Sequence, residues 1–96
     1  MARRVDSNQR QIVGELNACG LHTVDLHTVG RGCPDILVVG HRRQTGQTEA
    51  LLVEIKTARG KLTDAEIEFH NEFPSDGPLI VARCAEDVLR WFGLIR

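Results

Sequence analysis

Pro34-Asp35-Ile36-Leu37-Val38-Val39-Gly40 and Ala50-Leu51-Leu52-Val53-Glu54-Ile55-Lys56 are the two stretches that decide the fold. Each is a short apolar run rich in β-branched residues, and the first is bounded by Pro34 and Gly40, so both read as strands. The polar stretch His41 to Thr48 joins them and predicts a hairpin with a long loop. Residues two apart in a strand share a face, so Glu54 and Lys56 project together while Ile55 points into the opposite layer. In a hairpin, Asp35 at the start of one strand lies opposite the end of the other. Three ionisable groups then converge at one end of the sheet.

Upstream, Gln9 to Cys19 reads as a helix with apolar residues at Ile12, Val13 and Leu16, preceded by the capping types Asp6, Ser7 and Asn8 and followed by Gly20. At about 100° per residue, Gln9 falls near the centre of the inward stripe and Glu15 turns towards solvent. His22 to Val29 predicts a strand, and Gly30-Arg31-Gly32 a flexible connection. Downstream, Ala58 to Lys61 is a basic loop, and Thr63-Asp64-Ala65-Glu66 is a capping box opening a helix to about Phe73. The expected inward stripe of that helix is Leu62, Ala65, Phe69 and Phe73. Leu79 to Ala82 predicts a fourth strand and Ala85 to Trp91 a short C-terminal helix. The order is αβββαβα, an α/β fold with a mixed sheet flanked by helices.

The 96 residues are expected to form a single domain over 1–96. With 42% apolar and 26% charged residues the composition is globular, which excludes a disordered tail. Cys19, Cys33 and Cys84 are odd in number and form no Cys-x-x-Cys pair, which argues against a disulfide framework and a structural zinc site. Met1-Ala2-Arg3-Arg4 runs into polar residues without a leader's apolar stretch, and no run is long enough to span a bilayer. A cytoplasmic protein with no membrane partner is expected. Residues 1–48 carry six Arg against four acids and residues 49–96 carry six basic groups against nine acids, or +2 and −3. The basic side chains Arg3, Arg4, Arg10, Arg31, Arg42, Arg43, Arg59 and Lys61 form a phosphate-facing surface only if the fold gathers them; otherwise they are scattered solvated charge.

Asp35 and Glu54 offer oxygen ligands suited to a hard divalent ion such as Mg²⁺, and Lys56 beside them is placed to neutralise phosphate charge or hold an attacking water. The competing reading is structural: Asp35 caps a turn after Pro34, and Glu54 with Lys56 is a solvent-facing ion pair.

Pro34-Asp35, Glu54-Ile55-Lys56 and Gly60-Lys61-Leu62-Thr63 together resemble the PD-(D/E)XK nuclease superfamily. Within it they resemble the VRR-NUC (virus-type replication-repair nuclease) branch, many of whose members are phage-encoded. The resemblance runs from the first helix to Val81-Ala82-Arg83 and Glu86-Asp87-Val88-Leu89. It implies a restriction-endonuclease-like αβββαβ core and a nuclease dependent on Mg²⁺, with Mn²⁺ substituting. It also implies hydrolysis of phosphodiester bonds in branched DNA such as Holliday junctions, in DNA repair or recombination, by a homodimer. Such an enzyme would work in a bacterial or phage-infected cell. Asp35, Glu54 and Lys56 would be catalytic. Asp35, Glu54 and the Ile55 backbone carbonyl would hold the metal, with Gln9 as a further ligand, direct or through water. Arg10, Arg31, Arg42, Arg43, Arg59 and Lys61 would meet DNA.

Two positions depart from the pattern. Gln9 stands where relatives usually have a metal-facing glutamate, and lacks its charge. Glu66 stands where they tend to have Gln; it reads as the third position of the capping box or as a group behind the site contacting Lys56. Three other functions stay open: a nucleic-acid-binding module with decayed catalysis, motivated by Gln9; a small interaction domain with no nucleic-acid role, motivated by the net charge of only −1; and a nicking or flap nuclease within a larger complex. His22, His27, His41 and His70 lack metal spacing, Cys33 reads as a small buried side chain, and Trp91, Phe69, Phe73 and Phe92 read as core or interface residues. Trp91, Phe92, Leu94 and Ile95 are the expected dimer patch.

Overall fold

A computed structural model describes residues 7–96; Arg3, Arg4 and the candidate cap Asp6 lie outside the described residues. The elements are α1 (Ser7–Ala18), β1 (His22–Asp25), β2 (Ile36–Arg42), β3 (Gln47–Ile55), α2 (Asp64–Glu72), β4 (Leu79–Ala82) and α3 (Ala85–Trp91). The expected order is present. The four strands lie side by side as β1-β2-β3-β4. β1 to β3 are antiparallel, and β4 joins parallel to β3 after the α2 crossover, which makes the sheet mixed.

The core fills one face of this sheet. Ile36, Val38, Leu51, Val53, Ile55 and Ala82 pack there against Ile12 and Leu16 of α1 and Ala85, Val88 and Leu89 of α3. Gly40 permits a close approach, because a Cβ there would collide with the Leu21 side chain. The opposite face is more open. Val24, Leu37, Leu52 and Leu79 are register partners across all four strands, and none of the four is fully buried. Among the described residues, no helix is long and apolar enough to cross a membrane.

Four expectations change. β1 stops at Asp25 rather than Val29: Leu26 still donates to the Asp35 carbonyl at 2.8 Å, but Val29 turns back onto Leu26. The hairpin loop is short, not long, because His41, Arg42, Gln47 and Thr48 continue the ladder and Gly46 closes the turn with φ +72° and an N–H to the Arg42 carbonyl. Polar side chains do not end a strand when its backbone groups still pair and the side chains reach water. In α2 the buried residue is Glu66, while Ala65 is exposed. The helix is rotated because Gly32, with φ +75°, sits against the Ala65 carbonyl with no room for a Cβ, and because Lys56 draws Glu66 inward. Finally, Phe92 is 0% exposed and belongs to the core, so it is not part of a dimer patch.

Candidate active site

The register that pairs Ile36 with Val53 places Asp35 opposite Glu54. Both carboxylates are buried, Asp35 at 8% exposure and Glu54 at 1%, which is rare for acids without partners. Asp35 Oδ2 accepts the Ile55 N–H at 2.7 Å, which ties the first strand end to the second. Glu54 is less well provided for. Its Oε1 is buried without a hydrogen-bond donor among the described residues, and its Oε2 lies 3.9 Å from Lys56 Nζ. What does lie within hydrogen-bonding reach of Glu54 is another acceptor, the Asp35 carboxylate. Two facing acceptors need a proton or a cation between them. Burial first, then the hydrogen bond and charge of Asp35 and the charge of Glu66, push the Glu54 carboxyl up to about 9 against the opposing pull of Lys56.

Lys56 is held from several sides. Its N–H donates to Ala82 O at 3.0 Å, its carbonyl accepts from Asn8 Nδ2 at 3.3 Å, and its ammonium lies 2.8 Å from Glu66 Oε1. That same oxygen accepts the Thr63 N–H at 2.8 Å, and Thr63 Oγ1 accepts the Glu66 N–H at 3.3 Å. Both readings of Glu66 are therefore present at once: it closes the capping box and it contacts Lys56. Burial raises the Glu66 carboxyl, but the bonds and charge of Lys56 and the Thr63 N–H outweigh it and leave the group below its ordinary 4.5. Its contribution to stability is present above that value and is lost on acidification through the lowered one.

The basic residues divide into two groups. Arg31 is exposed on the loop before Asp35, with φ +57° between Gly30 at +74° and Gly32 at +75°. Arg59 and Lys61 are exposed on the loop after Lys56, which Arg83 clamps through the carbonyls of Thr57 and Gly60. Arg10 is exposed on α1 one residue from Gln9. Arg42 and Arg43 are elsewhere, at the hairpin end of β2, roughly 20 Å from Asp35 at about 3.3 Å per residue. Arg42 is also occupied, stacking 3.7 Å over the Trp91 ring and donating to Trp91 O at 2.9 Å.

Gln9 is 6% exposed, on the inward face as the helical periodicity requires, and Glu15 is exposed. Gln9 bonds the carboxylate of Asp25, however, a residue that sequence reading did not single out. Asp25 Oδ1 also accepts from His27 N at 2.9 Å and pairs with His27 Nδ1 at 2.7 Å. The spacing Asp25-x-His27 at a strand end was the available signal, since an Asp side chain commonly bonds the backbone two residues on. Gln9→Glu is therefore expected to set a second carboxylate against Asp25, lower the melting temperature by a few degrees, about 1 kcal/mol, and leave metal dependence unchanged. A thermal melt beside a Mn²⁺ titration checks it.

Cys33 is half-buried near the two carboxylates; burial and then the charges of Glu54 and Asp35 push its thiol up. Among the described residues, no group of three or more His, Cys, Asp and Glu side chains gathers into a metal cage. Two carboxylates and a strand-end carbonyl are a thin protein contribution, of the kind Mg²⁺ accepts when water and phosphate complete its shell. No protein-family model matches this chain, and no curated protein and no solved structure shows significant similarity to it.

Proposed function

We propose that this protein is a Mg²⁺-dependent endodeoxyribonuclease with a restriction-endonuclease-like core, cutting branched DNA such as Holliday junctions, with Mn²⁺ as a substitute ion. The observation that carries the reading is the facing of two buried carboxylates, Asp35 and Glu54, with a donorless oxygen on Glu54 and an anchored lysine beside it. A structural ion pair does not need a second buried carboxylate aimed at the first, and in a phosphate-binding surface such a pair repels the ligand unless a cation intervenes. Asp35, Glu54 and the Ile55 carbonyl would hold the ion. Once bound, it supplies Lewis acidity towards the scissile phosphate and its water.

The chain's own residues do the rest. Lys56, directed by Glu66, neutralises phosphate charge that grows in the transition state and positions the attacking water. Arg31, Arg59, Lys61 and Arg10 border the site and would hold flanking phosphates; Arg42 and Arg43 lie too far away to act on the same one. Metal-dependent cleavage that disappears in Asp35→Asn tests the proposal. Ion binding by the wild type with no cleavage of any DNA would favour the decayed binding module instead.

A two-fold homodimer remains part of this reading, with its contact moved. The half-open apolar row Val24, Leu37, Leu52 and Leu79 is a better interface than the C-terminus, where Phe92 is in the core. A dimer at micromolar concentration is expected in sedimentation, with Val24→Glu weakening it at least about tenfold. A wild-type monomer would favour a nicking or flap nuclease within a larger complex.

A further inference from the structure

Lys56 and Arg83 stand side by side at the end of the sheet. β3 and β4 run parallel with Ile55 level with Ala82, and the Lys56 N–H donates to the Ala82 carbonyl at 3.0 Å, so the pairing reaches one residue further. Glu54 is level with Val81. Two residues on along each strand, Lys56 and Arg83 share the face of Glu54. The contacts of the Arg83 side chain agree. Its Nη1 donates to the Thr57 carbonyl and, at 2.8 Å, to the Gly60 carbonyl. Those two carbonyls belong to one turn, closed by the Gly60 N–H on the Thr57 carbonyl at 3.1 Å. A Cβ on Gly60 would stand 3.4 Å from Lys56 Cβ and 3.1 Å from Thr57 Oγ1, so the turn is folded back onto the stem of the lysine. The base of the clamp is firm: the Arg83 N–H donates to Asp87 Oδ2 at 2.9 Å, in the first turn of α3, whose Ala85, Val88 and Leu89 are in the core.

Thr57, Ala58 and Arg59 are exposed, and a turn closed by a single backbone bond at the surface opens readily on its own. A guanidinium nitrogen carries its N–H donors in a fixed fork, which suits it to gather two carbonyls at once. We propose that Arg83 is a positioning residue: it closes the turn on the Lys56 stem, and so holds the ammonium beside Glu54 and sets Arg59 at the border of the site. Lys56 is then fixed by Glu66 at its head, by Ala82 at its backbone and by the clamped turn along its stem. The fork matters here and not the charge alone, because the nitrogen of a lysine stops short of the place of Nη1. The effect on catalysis rests on the nuclease reading and deepens it; the hold on Lys56 is independent of it.

The test compares the whole chain as wild type, Arg83→Lys and Arg83→Ala, first without metal and then with Mn²⁺. In hydrogen exchange without metal, the Gly60 N–H is expected to exchange at least about tenfold faster in both variants, while Val53 in the central strand keeps its protection and reports that the fold is intact. The Lys56 side-chain methylene signals should move towards those of a free lysine in both. With Mn²⁺, kcat on a four-way junction should fall at least about tenfold in both, and the Mn²⁺ midpoint should stay that of the wild type because Asp35 and Glu54 are untouched. Gly60 exchange at the wild-type rate in Arg83→Ala overturns the clamp. So does a wild-type kcat in Arg83→Lys, which would show a charge at work and not the fork, and so does faster Gly60 exchange with undiminished cleavage. A wild type that cuts no DNA, with Gly60 and Lys56 responding to both substitutions as expected, removes the nuclease reading and leaves the hold on Lys56 standing.

Discussion

Glu54→Gln is expected to abolish cleavage and at the same time to stabilise the metal-free protein. The loss should reach about a thousandfold or more, the scale of removing one electrostatic stabiliser from a transition state. The gain follows from the charge balance at the strand end. Glu54 is pushed up to about 9 in the folded protein against an ordinary 4.5. Between those values the folded state keeps a proton that the unfolded chain has released, so folding stability falls as pH rises across this window. Below the window the contribution is fully present. Glutamine keeps a neutral polar group and removes the slope, so the variant should melt about 5 °C higher near neutral pH, roughly 1 kcal/mol. On the proposed reading a divalent ion would replace the proton between Asp35 and Glu54, so Mn²⁺ should stabilise the wild type and not the variant. Melting curves from pH 5 to 9, with and without Mn²⁺, measure both effects. A variant less stable than wild type at every pH would mean that Glu54 is an ordinary ionised carboxylate.

Lys56→Ala should be the most destabilising change in the site. Lys56 is the cation close to both Glu54 and Glu66, which are 1% and 4% exposed. Its removal leaves Glu66 held only by the Thr63 N–H and gives α2 no charged anchor on the sheet, although Glu66 is the one residue that α2 buries. Breaking a buried pair in this way costs about 3 kcal/mol. Cleavage should fall with it, but Mn²⁺ binding should persist because the carboxylates remain. Lys56→Ala with Glu66→Gln should recover part of the stability and none of the activity, since it removes the stranded charge without replacing the ammonium. A double variant no more stable than the single one would show that the Lys56–Glu66 contact holds nothing in place.

Much of this arrangement was legible in the sequence because strand periodicity is strict. A two-residue repeat forces Glu54 and Lys56 to one face, and the hairpin then sets Asp35 opposite Glu54 without tertiary information. Element order followed from Gly, Pro and capping signals in the same way. What stayed hidden depended on contacts between segments distant in the chain. The rotation of α2 comes from Gly32 against Ala65 and from Lys56 reaching Glu66, neither of which leaves a periodic trace. The pairing of Gln9 with Asp25 joins a helix to a strand end, and the occupation of Arg42 by Trp91 spans half the chain. Sequence identified these side chains as charged or polar; only the fold decided what each one met.

The most direct test is cleavage of matched four-way junction, flap and linear DNA substrates by the wild type and Asp35→Asn, in Mg²⁺, in Mn²⁺ and in EDTA. The account predicts phosphodiester cleavage by the wild type with either ion, fastest on a branched substrate, none in EDTA, and none by the Asp35 variant although it folds. Cleavage that persists in EDTA or in Asp35→Asn, or no cleavage of any of the three DNAs with either ion, would contradict it.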